Sequence, residues 1–340
     1  MLSFLYLLFK FTAVNIDVVK LVSMKTRILY SLFIVTLIGC NDDDPPAMSL
    51  EAENLLDEMI EVMEDHSINK NTIDWPDFRQ KVLAKVPGAQ TFKDTYPGIS
   101  EALKMLGDNH SFLIKPDGGI IRHSTIQCNT QSVFKPAMPS NIGYVKVNSF
   151  SGTEAEGLAF SKEIQQQIKS QDNANIVGWI VDLRSNGGGN MWPMLAGVGP
   201  ILGEGISGYF IDPDGVETWW GYQDGSSVFV GDNIVSVPDP YELIVPNPKV
   251  AVLLDNAIAS SGEVIAISFI DRANTRSFGS STCGLSTANQ MYALNGSHQL
   301  FLTVAYLADR NKNKYGIPIV PDQSSGSGTV VQDAIDWIQN

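Results

Sequence analysis

The chain has few cysteines, few histidines and fewer basic than acidic side chains. Its 340 residues include three cysteines and four histidines, and 37 Asp and Glu against 23 Lys and Arg give a formal net charge of −14. Binding to nucleic-acid phosphates needs a basic face, which this composition does not provide. The cysteines, Cys40, Cys128 and Cys283, lack the CxxC spacing of a zinc site and are too scattered for a disulfide framework. We therefore expect no metal and no nucleic-acid partner.

The first forty residues are typical of a targeting segment. Lys25 and Arg27 precede the apolar run 28–38, and the sequence L-I-G-C ends at Cys40. A small residue directly before a cysteine resembles a bacterial lipobox, and Met24 would begin a signal of ordinary length. A single transmembrane anchor is the alternative, but the apolar run is short for a membrane-spanning helix.

These features predict a signal sequence over residues 1–39 and a lipidated Cys40 at the start of an acidic tether over residues 40–48. The protein would then be anchored by lipid to a membrane of the bacterial cell envelope, and it would be periplasmic or surface-exposed.

Residues 49–110 are expected to form a small N-terminal helical domain. Leucine, isoleucine and methionine recur at helical spacing between Leu55 and Met63. Asp74, before a W-P pair, is a suitable N-cap for a second helix, and a third helix is expected over 99–106. Residues 111–140 would be a connector.

Strand and helix patterns alternate over residues 141–340. Strands are expected over 142–147, 176–183 and 250–254, and helices over 155–169 and 261–269. This alternation favours βαβ units. Between residues 208 and 237, aromatic residues and turn signals favour an antiparallel excursion, which would serve as a lid or a substrate wall.

A glycine-rich segment follows a predicted buried strand. It reads V-D-L-R-S-N-G-G-G-N over residues 181–190. Glycine permits positive φ and close approach of backbone N–H groups to a ligand, as an oxyanion cradle requires. An ordinary turn is the other interpretation, because GxGxxG spacing and a Walker lysine are absent.

A pair of serines stands where another predicted strand gives way to a helix, in A-S-S-G-E. The free N–H groups at a helix N-terminus stabilise negative charge that develops on a substrate carbonyl. Ser260 therefore suits a nucleophile, and the backbone N–H of Ser261 suits an oxyanion donor. Ordinary N-capping is the alternative.

The segment L-G-D-N-H-S-F-L places His110 after a predicted helix, which makes it a candidate general base. The remaining histidines, His66, His123 and His298, are less suitable, since each is expected to be structural or solvated.

Together and in this order, the three segments resemble the C-terminal-processing and tricorn-core serine peptidases, a family that includes the tail-specific proteases. The runs F-G-S-S-T-C-G over 278–284 and Y-G-I-P-I-V-P-D ending at Asp322 extend the resemblance, which covers residues 50–338. It implies an α/β fold with a crotonase-like (ClpP/crotonase-type) ββα core, formed by residues 141–340, and a small N-terminal helical domain.

The resemblance also implies roles for individual residues. Ser260 would be the nucleophile, and Ser261 together with Gly187 or Gly188 would form the oxyanion hole. Leu285 stands where the processing-peptidase branch has its lysine base, so the Ser–Lys dyad is missing. His110 matches the histidine base of the tricorn-like branch, and neutral imidazole can take the serine proton.

Two departures from the family concern the orienting residue and the domain content. The tricorn-like branch has a glutamate where this chain has N-K-N-K, with Asn313 near the expected place and Asp309 as a possible orienting residue. Many relatives carry a PDZ domain, for which the interval between His110 and Ile142 is too short.

Other side chains near these motifs are expected to be structural. Cys128 and Cys283 would either pair in an oxidising compartment or remain buried thiols. Arg184 and Glu263 are expected to form structural pairs within the core.

The sequence therefore predicts a lipid-anchored serine endopeptidase without a metal or organic cofactor. It would hydrolyse extended peptides or unfolded protein segments through an acyl-enzyme on Ser260, with His110 as base. The main alternative is a catalytically silent module that binds a peptide or an apolar ligand in the same cleft. An esterase with an α/β-hydrolase fold is disfavoured, since neither serine lies in a G-x-S-x-G elbow.

Overall fold

The structure, a computed structural model, describes residues 46–129, 133 and 136–340. The predicted signal sequence and the lipidation site Cys40 lie outside the described residues. None of the helices in the described ranges is long and apolar enough to cross a membrane.

The secondary structure alternates along most of the chain. The α-helices are α1 (Leu50–His66), α2 (Trp75–Leu83), α3 (Tyr96–Leu106), α4 (Glu154–Gln171), α5 (Met191–Leu202), α6 (Ser261–Ser268) and α7 (Val330–Gln339). The strands are β1 (Phe112–Ile114), β2 (Ile120–Arg122), β3 (Ile142–Lys146), β4 (Gly178–Asp182), β5 (Gly205–Ile211), β6 (Glu217–Gln223), β7 (Ser226–Phe229), β8 (Asp232–Ser236), β9 (Lys249–Leu254), β10 (Thr275–Gly279), β11 (Thr287–Leu294), β12 (His298–Ala308) and β13 (Gln323–Ser324).

The three predicted N-terminal helices are confirmed as α1, α2 and α3. Asp74 caps α2 as expected, because its side chain accepts a hydrogen bond from the backbone N–H of Asp77. The third helix begins at Tyr96, three residues before the predicted start, and ends at Leu106, followed by Gly107 as the C-cap with a φ of 71°. The apolar faces of these helices share a core with Leu300 and Leu302 of β12.

Two sheets form the rest of the molecule. One is parallel, with the order β13-β10-β9-β4-β3, and contains the three strands predicted from the sequence. The other is antiparallel, with the order β2-β1-β12-β5-β6-β7-β8 and with β11 also paired to β12. Strands β5 to β8 correspond to the antiparallel excursion that the sequence predicts between residues 208 and 237.

Helices α4, α5 and α6 share one hydrophobic core with both sheets, to which β4 contributes Trp179 and β6 contributes Trp220. Helix α7 covers the other face of the parallel sheet, where Ile335 and Ile338 pack with Phe278. Since these layers hold β4 and β9 side by side, the loops that leave their carboxyl ends meet at one edge of the sheet.

Candidate active site

The glycine-rich loop and the serine turn are joined by hydrogen bonds at the carboxyl ends of β4 and β9. The backbone N–H of Ser185 lies 3.0 and 3.1 Å from the two carboxylate oxygens of Asp255. The backbone N–H of Ala259 donates to the carbonyl oxygen of Asn186 at 3.1 Å. The two loops therefore form one structural unit around Ser260.

Ser260 occupies a strained turn directly before α6. Its φ of 54° and ψ of −124° lie in a region that L-residues other than glycine seldom adopt. Such strain persists only where surrounding contacts hold it, and it is concentrated at functional sites. Here the backbone N–H of Ser260 donates to Glu263 Oε2 at 3.0 Å, and the adjacent Ser261 hydroxyl donates to the carbonyl of Gly189 at 2.6 Å.

Gly188 touches this turn so closely that no side chain fits. Its φ is 100°, and a Cβ atom added to it would lie 2.8 Å from the carbonyl oxygen of Ala259 and 2.9 Å from Ser260 Cβ. The same point is 3.1 Å from the backbone nitrogen of Ser261. Glycine is thus required here for close approach of the loop to the predicted nucleophile.

The predicted oxyanion donors differ in their present hydrogen bonds. Gly187 donates its backbone N–H to Ser149 Oγ at 2.8 Å, and Gly188 donates to Asn186 Oδ1 at 3.0 Å. Over the described part of the chain, the backbone N–H of Ser261 has no hydrogen-bond acceptor. Ser261 is therefore available as a donor, whereas either glycine would have to exchange its acceptor for a substrate oxygen.

Glu263 supports the turn from inside the core. Its side chain is fully buried and accepts hydrogen bonds from the hydroxyl of Thr282 at 2.5 Å and from the backbone N–H of Gly284 at 2.9 Å. It also accepts the backbone N–H of Ser260 described above. Burial raises the pKa of Glu263 to about 7 because the charged form loses hydration. The carboxyl group therefore links the turn before α6 to the turn after β10.

Arg184 and Glu263 both form structural pairs within the core, as expected. Arg184 forms a buried ion pair with Asp182, with a shortest distance of 2.6 Å. Glu263 forms hydrogen-bonded pairs and not an ion pair within the described residues, since its carboxyl oxygens accept backbone and hydroxyl donors.

His110 is half-buried in the turn after α3. Asp108 Oδ1 accepts the backbone N–H of His110 at 2.8 Å, and Asn289 Nδ2 donates to the His110 carbonyl at 2.9 Å. The ring Nδ1 lies 2.8 Å from Thr287 Oγ1. Burial lowers the pKa of His110 to about 4, against the opposing field of Asp108. The imidazole is therefore neutral at neutral pH, as a general base must be.

Ser260 and His110 are connected through one segment of chain rather than directly. Within residues 46–129 and 136–340, no hydrogen bond joins Ser260 Oγ to the His110 ring. Glu263 binds both Ser260 and the turn at Gly284, and Thr287, three residues later, contacts His110. The roles of Ser260 and His110 in catalysis remain predictions.

Asp309 is held within its own turn. Its carboxylate accepts hydrogen bonds from the backbone N–H and side-chain amide of Asn313, both at 3.0 Å, and from the Tyr315 hydroxyl at 3.0 Å. Its carboxylate makes no hydrogen bond to His110 in the described ranges. The structure thus does not bring the predicted orienting residue to the predicted base.

Cys128 and Cys283 form a disulfide bond, which the sequence left open against two free thiols. The backbone N–H of Cys283 donates to the carbonyl of Ile258 at 2.8 Å. Because Cys283 also lies between Thr282 and Gly284, which bind Glu263, the bond ties the connector after β2 to the support of the Ser260 turn.

The remaining histidines differ in environment. His66 stacks on Tyr292 with ring centroids 5.1 Å apart. His298 is fully buried at the start of β12, and its Nδ1 lies 2.8 Å from the carbonyl oxygen of Asn295. Both environments match the expectation that each histidine is structural or solvated, since His298 is buried and His66 is exposed.

Sequence reasoning missed two contacts of the site. S-S-G-E matches the S-x-x-E spacing of a capping box, in which a Glu side chain accepts the N-cap backbone N–H, so the bond from Ser260 to Glu263 had a local signal. The contact between His110 and Thr287 joins residues 177 positions apart and had none.

A cavity of ≈ 220 Å³ lies between the end of α1 and the antiparallel sheet, and its lining contains neither Ser260 nor His110. Its lining includes the apolar side chains of Phe210, Phe229, Tyr292 and Val304 and the acidic side chains of Asp65 and Asp212. Asn289, which bonds to the His110 carbonyl, also lines the cavity. The cavity therefore extends from the neighbourhood of the predicted base along the β5–β6 hairpin.

Known proteins resemble this chain in sequence. It is 26% identical over 279 residues to the nisin-resistance protein of Lactococcus lactis subsp. lactis, covering 82% of this chain and 84% of that protein. It is 28% identical over 185 residues to the carboxy-terminal processing protease CtpA of Bacillus subtilis, covering 54% of this chain and 34% of CtpA.

Solved structures share the fold. A lipoprotein from Streptococcus agalactiae superposes with a TM-score of 0.69 at 20% identity, over 86% of this chain and 97% of that one. A structure described as a putative peptidase from Parabacteroides merdae superposes with a TM-score of 0.58 at 16% identity, over 86% of this chain and 98% of that one. Residues 141–325, which contain β3 to β13 and the Ser260 turn, match the model of peptidase family S41. The chain belongs to peptidase family S41, and its mixed α/β architecture is the fold of that family.

Proposed function

We propose that the protein is a serine endopeptidase in which Ser260 is the nucleophile and His110 the general base. Membership of the S41 family implies serine peptidase chemistry and peptide or protein substrates. The observation that carries the finer assignment is the strained Ser260 turn, with Gly188 against its Cβ and, beside it, the N–H of Ser261, which has no acceptor among the described residues.

The reaction follows from these groups. Ser260 Oγ attacks the carbonyl carbon of the scissile peptide bond while its proton passes to Nε2 of His110. The developing oxyanion accepts the N–H of Ser261, and the N–H of Gly187 or Gly188 joins once it leaves its present acceptor. His110 then protonates the departing amine, and a water molecule hydrolyses the ester with the same residue as base.

The substrate is proposed to be an extended peptide or an unfolded protein segment that enters the cavity lined by Asn289, the residue that bonds to the His110 carbonyl. The β5–β6 hairpin supplies Phe210, Asp212 and Val216 to its lining, which supports a substrate wall in the 208–237 excursion. The net charge of −14 favours a cationic peptide, because complementary charge raises the rate of encounter. The cavity itself carries charges of both signs, with Lys70 as well as Asp65 and Asp212 in its lining.

We further propose export and attachment to the cell envelope through lipid on Cys40. The Cys128–Cys283 disulfide supports an oxidising compartment, where such bonds persist. The similar Streptococcus agalactiae structure is described as a lipoprotein. The crotonase-like ββα core and the division into residues 49–110, 111–140 and 141–340 also remain proposals.

A second candidate function is binding without hydrolysis. It is favoured by the engaged N–H groups of Gly187 and Gly188 and by Leu285 in place of the family lysine. One relative is named for nisin resistance, a name that does not state peptide cleavage. In that case the protein would retain a peptide in the cavity and release it unchanged.

Cleavage of a diverse peptide library by the purified protein, followed by mass spectrometry, tests both candidates. We expect cuts that Ser260→Ala and His110→Ala abolish and that Ser261→Ala reduces only in part, since this variant keeps its backbone N–H. Cuts that survive Ser260→Ala would show that another residue is the nucleophile. Peptide binding by a well-folded wild-type protein without cuts would establish the binding module.

A further inference from the structure

The ring of His110 has a single polar partner within the part of the chain that the structure describes. Its Nδ1 lies 2.8 Å from the hydroxyl oxygen of Thr287. The nearby carboxylate of Asp108 is engaged elsewhere, since Oδ1 accepts the N–H groups of His110 and Ser111 at 2.8 and 2.7 Å and Oδ2 accepts the Ser111 hydroxyl at 2.6 Å. Asp309 is bound by its own turn.

The direction of the contact with Thr287 decides whether His110 can act as a base. A neutral imidazole carries one N–H, and the hydrogen bond made by one ring nitrogen determines which nitrogen keeps the lone pair. If Nδ1–H donates to the Thr287 hydroxyl, Nε2 is free to accept a proton. If the hydroxyl donates to Nδ1, Nε2 carries the hydrogen and cannot take the proton of Ser260.

Strand β11 contacts both the ring and the backbone of His110. Thr287 is the first residue of β11 and pairs with Tyr306 of β12. Its β-branched side chain has restricted χ1 freedom, so its hydroxyl is held in place by the backbone. Asn289, two residues further along β11, donates to the His110 carbonyl at 2.9 Å. The strand therefore positions the backbone and the ring of His110 together.

We propose that Thr287 is a positioning residue for His110 and that its hydroxyl accepts the Nδ1–H of the ring, leaving Nε2 to receive the proton of Ser260. The inference rests on the proposed Ser260–His110 pair. Thr287 takes the place that a carboxylate orienter would otherwise occupy.

Thr287 neither gives nor takes a proton during the reaction. During attack the Ser260 proton moves to Nε2, and the imidazolium keeps donating its Nδ1–H to the threonine oxygen. The Nε2 proton then leaves with the amine product. Because the hydroxyl is neutral, it can accept the Nδ1–H without adding a negative charge beside the imidazolium.

Nitrogen-15 NMR of the histidine rings in the full chain at neutral pH tests the tautomer without any need for activity. We expect protonated Nδ1 and unprotonated Nε2 at His110 in the wild type and in Thr287→Ser. Thr287→Val, which has the same shape but no hydroxyl, should shift the ring towards the Nε2–H tautomer. A wild-type ring already in the Nε2–H form, or a Val variant with an unchanged ring, would overturn the proposal.

Kinetics supply the second readout. Thr287→Val should lower kcat roughly 10–100-fold, part of what a general base contributes, with KM little changed, and Thr287→Ser should restore most of the loss. Equal kcat values for wild type and Thr287→Val would also overturn the assignment. If the wild type cuts no peptide, the peptidase proposal fails, while the NMR result still decides the role of Thr287. The wild-type spectrum decides it even if the Val variant does not fold.

Discussion

Glu263 Oε2 accepts the backbone N–H of Ser260 at 3.0 Å, so a fully buried carboxyl group holds the backbone of the predicted nucleophile in its positive-φ conformation. The same carboxyl binds Thr282 and Gly284 in the turn that leads to β11. One side chain thus fixes the relation between the Ser260 turn and the strand that contacts His110.

The raised pKa of Glu263 predicts a particular dependence of stability on pH. Its pKa in the folded protein is about 7, against 4.5 for the ordinary group. The folded state therefore binds the proton more tightly, and the contribution of Glu263 to the free energy of unfolding decreases as pH rises from about 4.5 to about 7. Glu263→Gln should remove this decrease. Thermal unfolding of both proteins across that range measures it, and parallel profiles would contradict the prediction.

His110 should make the free energy of unfolding depend on pH in the opposite direction. Its pKa is lowered from 6.5 to about 4, so the unfolded state binds the proton more tightly. The stabilising contribution is present above about pH 6.5 and is lost as pH falls towards 4. His110→Gln should therefore flatten the acid side of the stability profile, whereas Glu263→Gln steepens it. If both substitutions changed the slope of stability against pH in the same direction, one of the two pKa shifts would be wrong.

Gly188→Ala should destabilise the protein and abolish any peptide cleavage. The added Cβ would lie 2.8 Å from the Ala259 carbonyl oxygen at a φ of 100°, and strain of this kind costs about 1–3 kcal/mol. Gly187→Ala is the matched control for stability, since its Cβ would have Ser149 Oγ at 3.9 Å as its nearest neighbour. Urea unfolding compares the two variants. Equal losses of stability would show that the close approach at Gly188 is unimportant.

Removal of the Cys128–Cys283 bond should lower the free energy of unfolding by roughly 2–5 kcal/mol, because the bond closes a long loop. The two cysteines are separated by 155 positions. Calorimetry with and without reductant measures the loss. The double variant Cys128→Ser/Cys283→Ser should be as stable as the reduced wild type, and its stability should not change when reductant is added. A wild-type melting temperature that does not respond to verified reduction would contradict the expected contribution.

The variant Asp309→Asn tests whether Asp309 stabilises the fold or influences His110. The carboxylate binds Asn313 and the Tyr315 hydroxyl, so its loss should reduce stability by about 1–3 kcal/mol, the usual cost of unpaired buried groups. The pH dependence of kcat should keep its shape, since Asp309 makes no hydrogen bond to His110 over the described residues. If the acid side of the kcat profile moved to another pH in this variant, Asp309 would influence the pKa of His110 after all.

Local patterns predicted much of the fold. Periodic apolar residues and caps predicted α1 and α2, and short apolar runs predicted β3, β4 and β9. Helix α5 was missed because nearly all of its residues are buried, so its sequence is apolar on every side and lacks the period of an amphipathic helix. It also contains glycine and Pro200, which oppose a helix prediction.

The candidate site was predictable where its geometry is local. The strand-to-helix turn at Ser260 and the glycines of its neighbouring loop are visible as short motifs. The partner of His110 was not, because the contact with Thr287 depends on how β11 pairs with β12 and on where α3 ends. Asp309 was close in sequence to the expected position, but its turn directs the carboxylate elsewhere.

The disulfide and the contact between His110 and Thr287 both join early and late parts of the chain. During synthesis from the N-terminus, His110 and Cys128 leave the ribosome long before Ser260, Cys283 and Thr287. An incompletely synthesised chain therefore lacks both the disulfide and the contact that holds the His110 ring. The predicted base and the predicted nucleophile come into one arrangement only after residue 287 has been added.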